Sequence, residues 1–165
     1  MSFTRLLRRP NVRFLMVLGG AVALSSCATA GGGSGDPAQV VFSPELGIAL
    51  DQMILTPEGL YYRDLVDGTG EEARNERRVT IHYIGQHPDG SVFDSSLAGE
   101  GPVEFTLGRG EVIRGWDVGI RGMRAGGRRV LVIPSRLGYG SRGVRGVVPG
   151  NATLVFEVQL VKVDR

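Results

Sequence analysis

Alternation of apolar and polar residues is the strongest pattern in this sequence, and it predicts β-strands over most of the second half of the chain. Val79, Ile81 and Tyr83 fall on one face of a strand, while Thr80 and His82 fall on the other. Short turns rich in Gly, Pro and Asp join five or six such segments, so the sheet should be antiparallel. The further strands are predicted at residues 60–66, 92–94, 103–107, 130–133 and 154–160.

One segment follows a different period. Val112, Trp116 and Ile120 recur at steps of four, which predicts a short amphipathic helix over residues 111–120 with Glu111 near its positive end. A helix of about ten residues is not stable alone, so it must pack its Trp116 face on the sheet. The pattern therefore predicts an α+β fold with one hydrophobic core.

The segment before the first strand is ambiguous, and we interpret residues 43–56 as an N-terminal extension. Ser43 at the N-cap and Pro44 at the first helical position would suit a short helix that continues to Met53. A turn follows at residues 56–59, and we expect the folded domain over residues 57–165.

The N-terminus has the pattern of an export signal. Residues 1–13 are basic, and residues 14–24 form an apolar run without charged side chains. A helix of this run would extend roughly 16 Å, about half of the hydrocarbon core of a bilayer, so it is too short to span one. The length fits the apolar part of a signal peptide, which we place at residues 1–26.

The residues after this run predict a lipid anchor. Leu24-Ser25-Ser26-Cys27 resembles the bacterial lipobox, in which the cysteine becomes the first residue of the mature protein and carries the lipid. Cys27 is the only cysteine of the chain, and the alternative is an ordinary signal with an incidental cysteine. Small residues follow, so we interpret 27–42 as a flexible tether. Ala28 lacks the acid that retains lipoproteins at the inner membrane, which favours the outer one.

The charge of the chain does not indicate a nucleic-acid partner. The formal net charge is +2, but residues 1–26 hold four of the 19 basic residues and no acid. Without them 15 basic residues face 17 acidic ones, so the mature chain carries −2. Only His82 and His87 remain as histidines, so we expect no metal and no cofactor. No heptad repeat predicts a dimer, and we expect a monomer.

Five motifs, in order over residues 79–163, resemble those of the FKBP-type peptidyl-prolyl isomerases. The resemblance implies a twisted antiparallel sheet half-wrapped around one short helix, with the core of the domain over residues 77–165. The motifs are His82-Tyr83-x-Gly85, Asp89-Gly90-x-x-Phe93-Asp94-Ser95-Ser96, Glu111-Val112-Ile113-Arg114-Gly115-Trp116, Gly138-Tyr139-Gly140 and Val147-Val148-Pro149-x-x-Ala152-Thr153-Leu154-Val155-Phe156.

The resemblance also implies a pocket for a proline ring between helix and sheet. It assigns Asp94, Tyr139 and Phe156 to catalysis, with Trp116 as the floor and the Ile113 N–H as a donor to a substrate carbonyl. From alternation alone, Phe93, Phe105 and Phe156 would be ordinary core residues, and Asp94 would form an Asx-turn. The implied substrate-binding residues are Tyr83, Phe93, Val103, Val112, Ile113 and Trp116; Val103 stands where the family often has an aromatic residue.

The implied activity is rotation about X-Pro bonds in unfolded or nascent exported proteins, with macrolides as possible ligands of the same pocket. The implied location is the periplasmic side of a bacterial cell envelope. The alternative is a binding module of the same fold without isomerase activity. Such modules tend to lose the pocket aromatics and the aspartate, and this sequence keeps both, which favours the enzyme.

Overall fold

The computed structural model describes residues 35–99 and 101–164, which form an antiparallel sheet and one short helix, α1 (Arg114–Gly119). The predicted α+β class is confirmed. The strands are β1 (Ile54–Leu55), β2 (Tyr61–Val66), β3 (Arg78–Gln86), β4 (Val92–Ser95), β5 (Val103–Thr106), β6 (Arg128–Ile133) and β7 (Leu154–Val163). Six of them lie where the sequence predicts them, and only the two-residue β1 was not predicted.

The strand order places β3 between β7 and two shorter strands. Along the sheet the order is β1-β2-β6-β7-β3-β4, and β5 also pairs with β3. One edge of β3 pairs with β7, whereas the other pairs with β5 in its first half and with β4 in its second half. This arrangement brings Asp94 of β4 directly opposite Gly85 of β3.

The predicted inward faces are the buried ones. In β3 the side chains of Val79, Ile81 and Tyr83 are buried. Alternate residues of β7 are buried as well, and they face the same core as the helix. These residues are Leu154, Phe156, Val158 and Leu160.

The helix is shorter than predicted, because the chain is still extended at Ile113, with a ψ of 141°. Val112 and Ile113 therefore precede the helix. The prediction for Glu111 was wrong: its carboxylate accepts a hydrogen bond from the Thr106 N–H at 3.0 Å instead of lying at the helix N-terminus. The acid of the first turn is Asp117.

Two glycines let α1 lie close to β6. A Cβ added at Gly115 would stand 2.5 Å from Cγ2 of Ile133, and one at Gly119 would stand 2.7 Å from Cδ2 of Leu131. No larger residue fits at either position without a shift of the strand side chains. The glycines thus bring Trp116, which lies between them, down onto the sheet.

The N-terminal extension differs from its prediction. No α-helix forms over residues 43–53; short 3₁₀ turns occupy Pro44–Leu46 and Leu50–Gln52. The described part of the predicted tether, residues 35–42, packs on the domain, since Gly35 and Pro37 are buried. The other residues of this stretch are exposed or half-buried, so the flexible tether over residues 27–42 stays a prediction.

Residues 1–34 lie outside the described part, so the predicted signal peptide and the lipidation site at Cys27 stay predictions. Among residues 35–99 and 101–164, no helix is both long enough and apolar enough to cross a membrane.

Candidate active site

An interlocked set of aromatic rings lies where the helix meets the sheet. Trp116 of α1 is at its centre, and the centroid of its ring system lies 4.8 Å from that of Tyr83 and 5.4 Å from that of Phe156. Both contacts are edge-to-face, the geometry that aromatic quadrupoles favour. Phe105, at 6.0 Å from Trp116, closes the buried side. Phe105 is a core residue, as alternation predicts.

Phe93 carries this aromatic set towards the surface. Its ring meets Phe156 at 5.6 Å and an angle of 88°, and it is only half-buried. The ring of His87 lies 4.9 Å from Phe93 on the outer side. The set therefore runs from a buried floor at Trp116 to a solvent-facing wall at Phe93.

Gly85 explains how two of the rings fit above β3. A Cβ built at this position would lie 2.8 Å from Cε1 of Phe156 and 2.8 Å from Cζ of Phe93. Real Cβ atoms do not approach other atoms so closely, so a side chain here would displace the rings. The glycine of the His82-Tyr83-x-Gly85 motif is thus required by the packing of the candidate site.

Asp94 supplies a carboxylate at the edge of the rings. Its Oδ2 accepts a hydrogen bond from the Tyr83 hydroxyl at 2.7 Å. The alternative role of Asp94, an Asx-turn, is wrong. A turn of this kind is made by Asp89, whose carboxylate accepts a hydrogen bond from the Ser91 N–H. In the turn after Asp94 the acceptor is the hydroxyl of Ser95, which binds the Leu97 N–H. Asp94 therefore faces the ring cluster.

Ser96 is a positioning residue that sequence reasoning did not single out. Its buried hydroxyl accepts a hydrogen bond from the Tyr83 N–H at 2.9 Å and lies 3.0 Å from Nδ1 of His82. It thus joins the 3₁₀ turn after β4 to the backbone that carries Tyr83. The signal available was the pair of serines directly after Asp94.

Tyr139 lies on the loop that follows β6 and packs against the core. Burial first, and then the negative charge of Asp94, raises the pKa of its phenol above the usual value of about 10. The structure thus brings Tyr139 into electrostatic contact with Asp94. A phenol with a raised pKa remains a hydrogen-bond donor throughout the neutral and mildly alkaline range.

We expect the Tyr139 phenol to ionise only above about pH 10, since burial disfavours its charged form. The absorbance titration of the wild type minus that of Tyr139→Phe isolates this group. The neutral Tyr139 phenol contributes fully to the stability of the folded state below the pKa that it has in the unfolded chain. This contribution is lost as the pH rises through the higher pKa of the folded state. A difference curve with its midpoint at or below the value for an exposed tyrosine would contradict this prediction.

The residues before the helix form the remaining side of the site. Val112, Ile113 and Val103 are half-buried and pack against the core. Among the described residues the Ile113 N–H has no backbone acceptor, and its role as a donor to substrate stays a prediction.

Asp117 holds this segment in place, and sequence reasoning missed it. Its carboxylate accepts hydrogen bonds from the Gly108 N–H at 2.7 Å and the Gly110 N–H at 3.1 Å. The buried acid thereby fixes the loop that leads to Val112 and Ile113. The sequence carried a signal for this role, since two glycines lie nine and seven residues before an acid on the predicted helix.

The described residues contain no group of three potential metal ligands among His, Cys, Asp and Glu. The candidate site combines apolar rings with one carboxylate, two phenols and a backbone donor. Such a surface can desolvate and orient a planar amide.

Comparisons with known proteins agree with this architecture. The family model described as FKBP-type peptidyl-prolyl cis-trans isomerase matches residues 69–161. The FK506-binding protein of Neisseria meningitidis serogroup B is 51% identical over 105 residues, which cover 64% of this chain and 96% of that protein. The mouse protein named peptidyl-prolyl cis-trans isomerase FKBP2 is 51% identical over 100 residues, 61% of this chain and 71% of its own length.

Solved structures give the same result. The crystal structure of AtFKBP13 matches with a TM-score of 0.64 and 37% identity, over 68% of this chain and 99% of that one. FkpA from Escherichia coli matches with a TM-score of 0.63 and 38% identity, over 68% of this chain and 51% of that one. The chain belongs to the FKBP-type peptidyl-prolyl cis-trans isomerase family.

Proposed function

We propose that this isomerase accelerates X-Pro bond rotation in exported proteins and assists their folding in the bacterial cell envelope. The observation that carries the catalytic part is the aromatic set around Trp116, which ends in the half-buried ring of Phe93 beside Asp94. The monomer expected from the sequence is part of this proposal.

The chemistry requires desolvation rather than a reactive group. Rotation about the peptide bond breaks amide resonance against a barrier of about 18–20 kcal/mol, and no bond is formed or cleaved. The twisted amide is less polar than the planar one, so a water-poor aromatic pocket favours the transition state over the ground state. Tyr83, Phe93, Trp116 and Phe156 would surround the prolyl ring and exclude water from it.

The polar groups would orient the substrate. The Ile113 N–H and the Tyr139 hydroxyl would donate hydrogen bonds to carbonyls on either side of the rotating bond. Asp94 would set the local field near the rotating carbonyl, and its hydrogen bond with Tyr83 fixes its position. Val103 and Val112 would complete the apolar lining.

Gly85→Ala tests the aromatic pocket without changing any ring. The added methyl would collide with Phe93 and Phe156, so the rings must move apart. We expect kcat/KM to fall about 10-fold, equivalent to about 1.4 kcal/mol of transition-state stabilisation, in a protein that still folds. Catalysed relaxation of a short X-Pro peptide measures the effect.

Gly99→Ala is the matched control for that variant. Its added methyl meets nothing within 4 Å. Unchanged kcat/KM in both variants would show that the placement of the rings does not matter for catalysis.

The proposed location rests on the N-terminal sequence. A signal peptide over residues 1–26 would export the chain, and a lipid on Cys27 would hold it at the periplasmic surface of a membrane, with the outer one favoured by Ala28. Cys27→Ser should move the protein from the membrane fraction to the soluble periplasmic fraction. Retention of this variant on membranes would contradict the lipid anchor.

Macrolides are the proposed small-molecule ligands. The Neisseria relative is named for FK506, and this chain has the ring cluster and Asp94 in the matching region. We therefore expect FK506 to compete with X-Pro peptides for the same pocket.

A further inference from the structure

Residues 35–43, here called the brace, connect the two loops that flank the candidate pocket. At one end the carbonyl of Gly35 accepts a hydrogen bond from the Ser135 N–H at 3.0 Å. At the other end the Ser43 N–H donates to the carbonyl of Pro88 at 2.8 Å. Ser135 begins the turn that leads to Tyr139, and Pro88 lies in the turn between β3 and β4.

The Gly35 end is built into the domain. Gly35 is buried with a φ of +69°, and a Cβ at this position would lie 2.1 Å from Oγ of Ser135. The carbonyl of Ser135 in turn accepts hydrogen bonds from the N–H groups of Gly138 and Gly140, on either side of Tyr139. Without the brace, the N–H of the buried Ser135 would lose its acceptor. Gly35 therefore fixes the start of the loop that carries Tyr139.

The Ser43 end fixes the opposite wall. Pro88 follows His87, whose ring packs on Phe93 at 4.9 Å. Nε2 of His87 also lies 3.1 Å from the carbonyl of Val147, on the loop that carries Tyr139. The two walls are thus joined directly through His87 and indirectly through the brace.

We propose that Gly35 and Ser43 are positioning residues for the isomerase site, and that the brace holds the Tyr139 loop and the β3–β4 turn at the spacing that binds substrate. The inference rests on the proposed pocket. When either end is released, the walls sample other spacings and only a fraction of molecules is competent to bind. The apparent KM then rises by the inverse of that fraction, while bound complexes react at the original rate.

Ser43→Pro removes one end of the brace selectively. The φ of Ser43 is −58°, which proline adopts, so the change deletes the donor N–H at a backbone angle that proline tolerates. In the full chain, purified in detergent, we expect KM for an X-Pro peptide to rise about three- to ten-fold, with kcat changed less than about two-fold. Ser43→Ala keeps the N–H and should match the wild type.

Gly35→Ala releases the other end, and Ser135→Gly offers a rescue. The alanine methyl cannot fit beside the Ser135 side chain, so Gly35→Ala should raise KM in the same way. Ser135→Gly removes that side chain and leaves its N–H, so the double variant should recover the part of the affinity lost to the collision, while the strain of an alanine at a φ of +69° remains. The proposal would be overturned if Ser43→Pro and Gly35→Ala both had the kcat/KM of the wild type. It would also be overturned if Ser43→Ala lost as much kcat/KM as Ser43→Pro.

Hydrogen exchange separates the brace from the pocket mechanism. In Gly35→Ala the amides of Ser135, Gly138 and Gly140 should exchange faster than in the wild type, whether or not the chain is active. Unchanged exchange would overturn the brace. If Gly35→Ala shows the expected faster exchange but the wild type has no isomerase activity, the proposed function is refuted. The claim that the brace serves catalysis is then refuted with it.

Discussion

An Asp94→Ala, Tyr139→Phe double variant should lose most of the isomerase activity. Asp94 accepts the hydrogen bond from the Tyr83 hydroxyl, and its charge acts on the partly buried phenol of Tyr139. Removing them deletes the polar groups that would orient the rotating amide. Because a hydrogen bond to a charged group contributes about 1.5–3 kcal/mol, we expect kcat/KM to fall roughly 10- to 100-fold.

A matched double variant controls for the loss of one carboxylate and one phenol. Asp67→Ala with Tyr61→Phe makes the same chemical changes at residues outside the candidate pocket. This control should retain the activity of the wild type. Equal activity in both double variants would remove Asp94 and Tyr139 from the site.

Arg129→Met should lower the free energy of unfolding more than the same change at an exposed charged residue of the sheet. The Arg129 side chain is only 8% exposed, and its guanidinium binds both carboxylate oxygens of Asp64, at 2.7 and 2.9 Å. It also donates to the carbonyl of Gly119 at the end of α1 and lies 4.2 Å above the ring of Tyr62. Removing one partner of a buried pair costs up to about 3–5 kcal/mol, and we expect about 2–4 here because Asp64 is one-third exposed.

Arg128→Met is the control on the neighbouring residue. Arg128 pairs with Glu157, but their side chains are 46% and 38% exposed, so the variant should lose at most about 1 kcal/mol. Chemical denaturation measures both free energies of unfolding. Arg129→Met with Asp64→Leu should recover part of the loss, since no carboxylate is then left without its partner. Equal losses in the two single variants would contradict the importance of the Arg129 pair.

The sheet could be predicted from sequence because alternation records burial directly. Tyr83 and Phe156 lie on strands with one apolar face, and one face of each strand is indeed buried. The helix was harder: the period of four continues through Val112, but the backbone of Ile113 is extended. Periodicity reports which side chains face the core and not the backbone angle at each residue.

Residues that act through distant partners were not predictable from their neighbours in sequence. Arg129 follows another arginine and has the pattern of a strand surface, yet its partner Asp64 is 65 residues away. Asp117 has the pattern of a solvent-facing helix residue, yet it fixes the loop before the helix. The docking of Gly35 depends on a glycine fitting against Ser135, and a run rich in glycine is typical of a flexible linker.

The candidate site was predicted from the resemblance, and the structure adds the contacts between its members. Alternation alone could not distinguish Phe93, which is half-buried at the edge of the rings, from Phe105, which is buried behind them. The hydrogen bond between Tyr83 and Asp94, which lie 11 residues apart, joins two of the motifs. Gly85 belongs to the same site because the rings of Phe93 and Phe156 pack where its side chain would be.

The most direct test of the account is the relaxation of an X-Pro peptide from cis to trans with the wild-type chain and with Gly85→Ala. Uncatalysed rotation takes tens to hundreds of seconds, so acceleration is easily measured. We expect a clear acceleration by the wild type that falls about 10-fold in Gly85→Ala while the variant remains folded. A folded wild-type chain that leaves the uncatalysed rate unchanged would contradict the central claim.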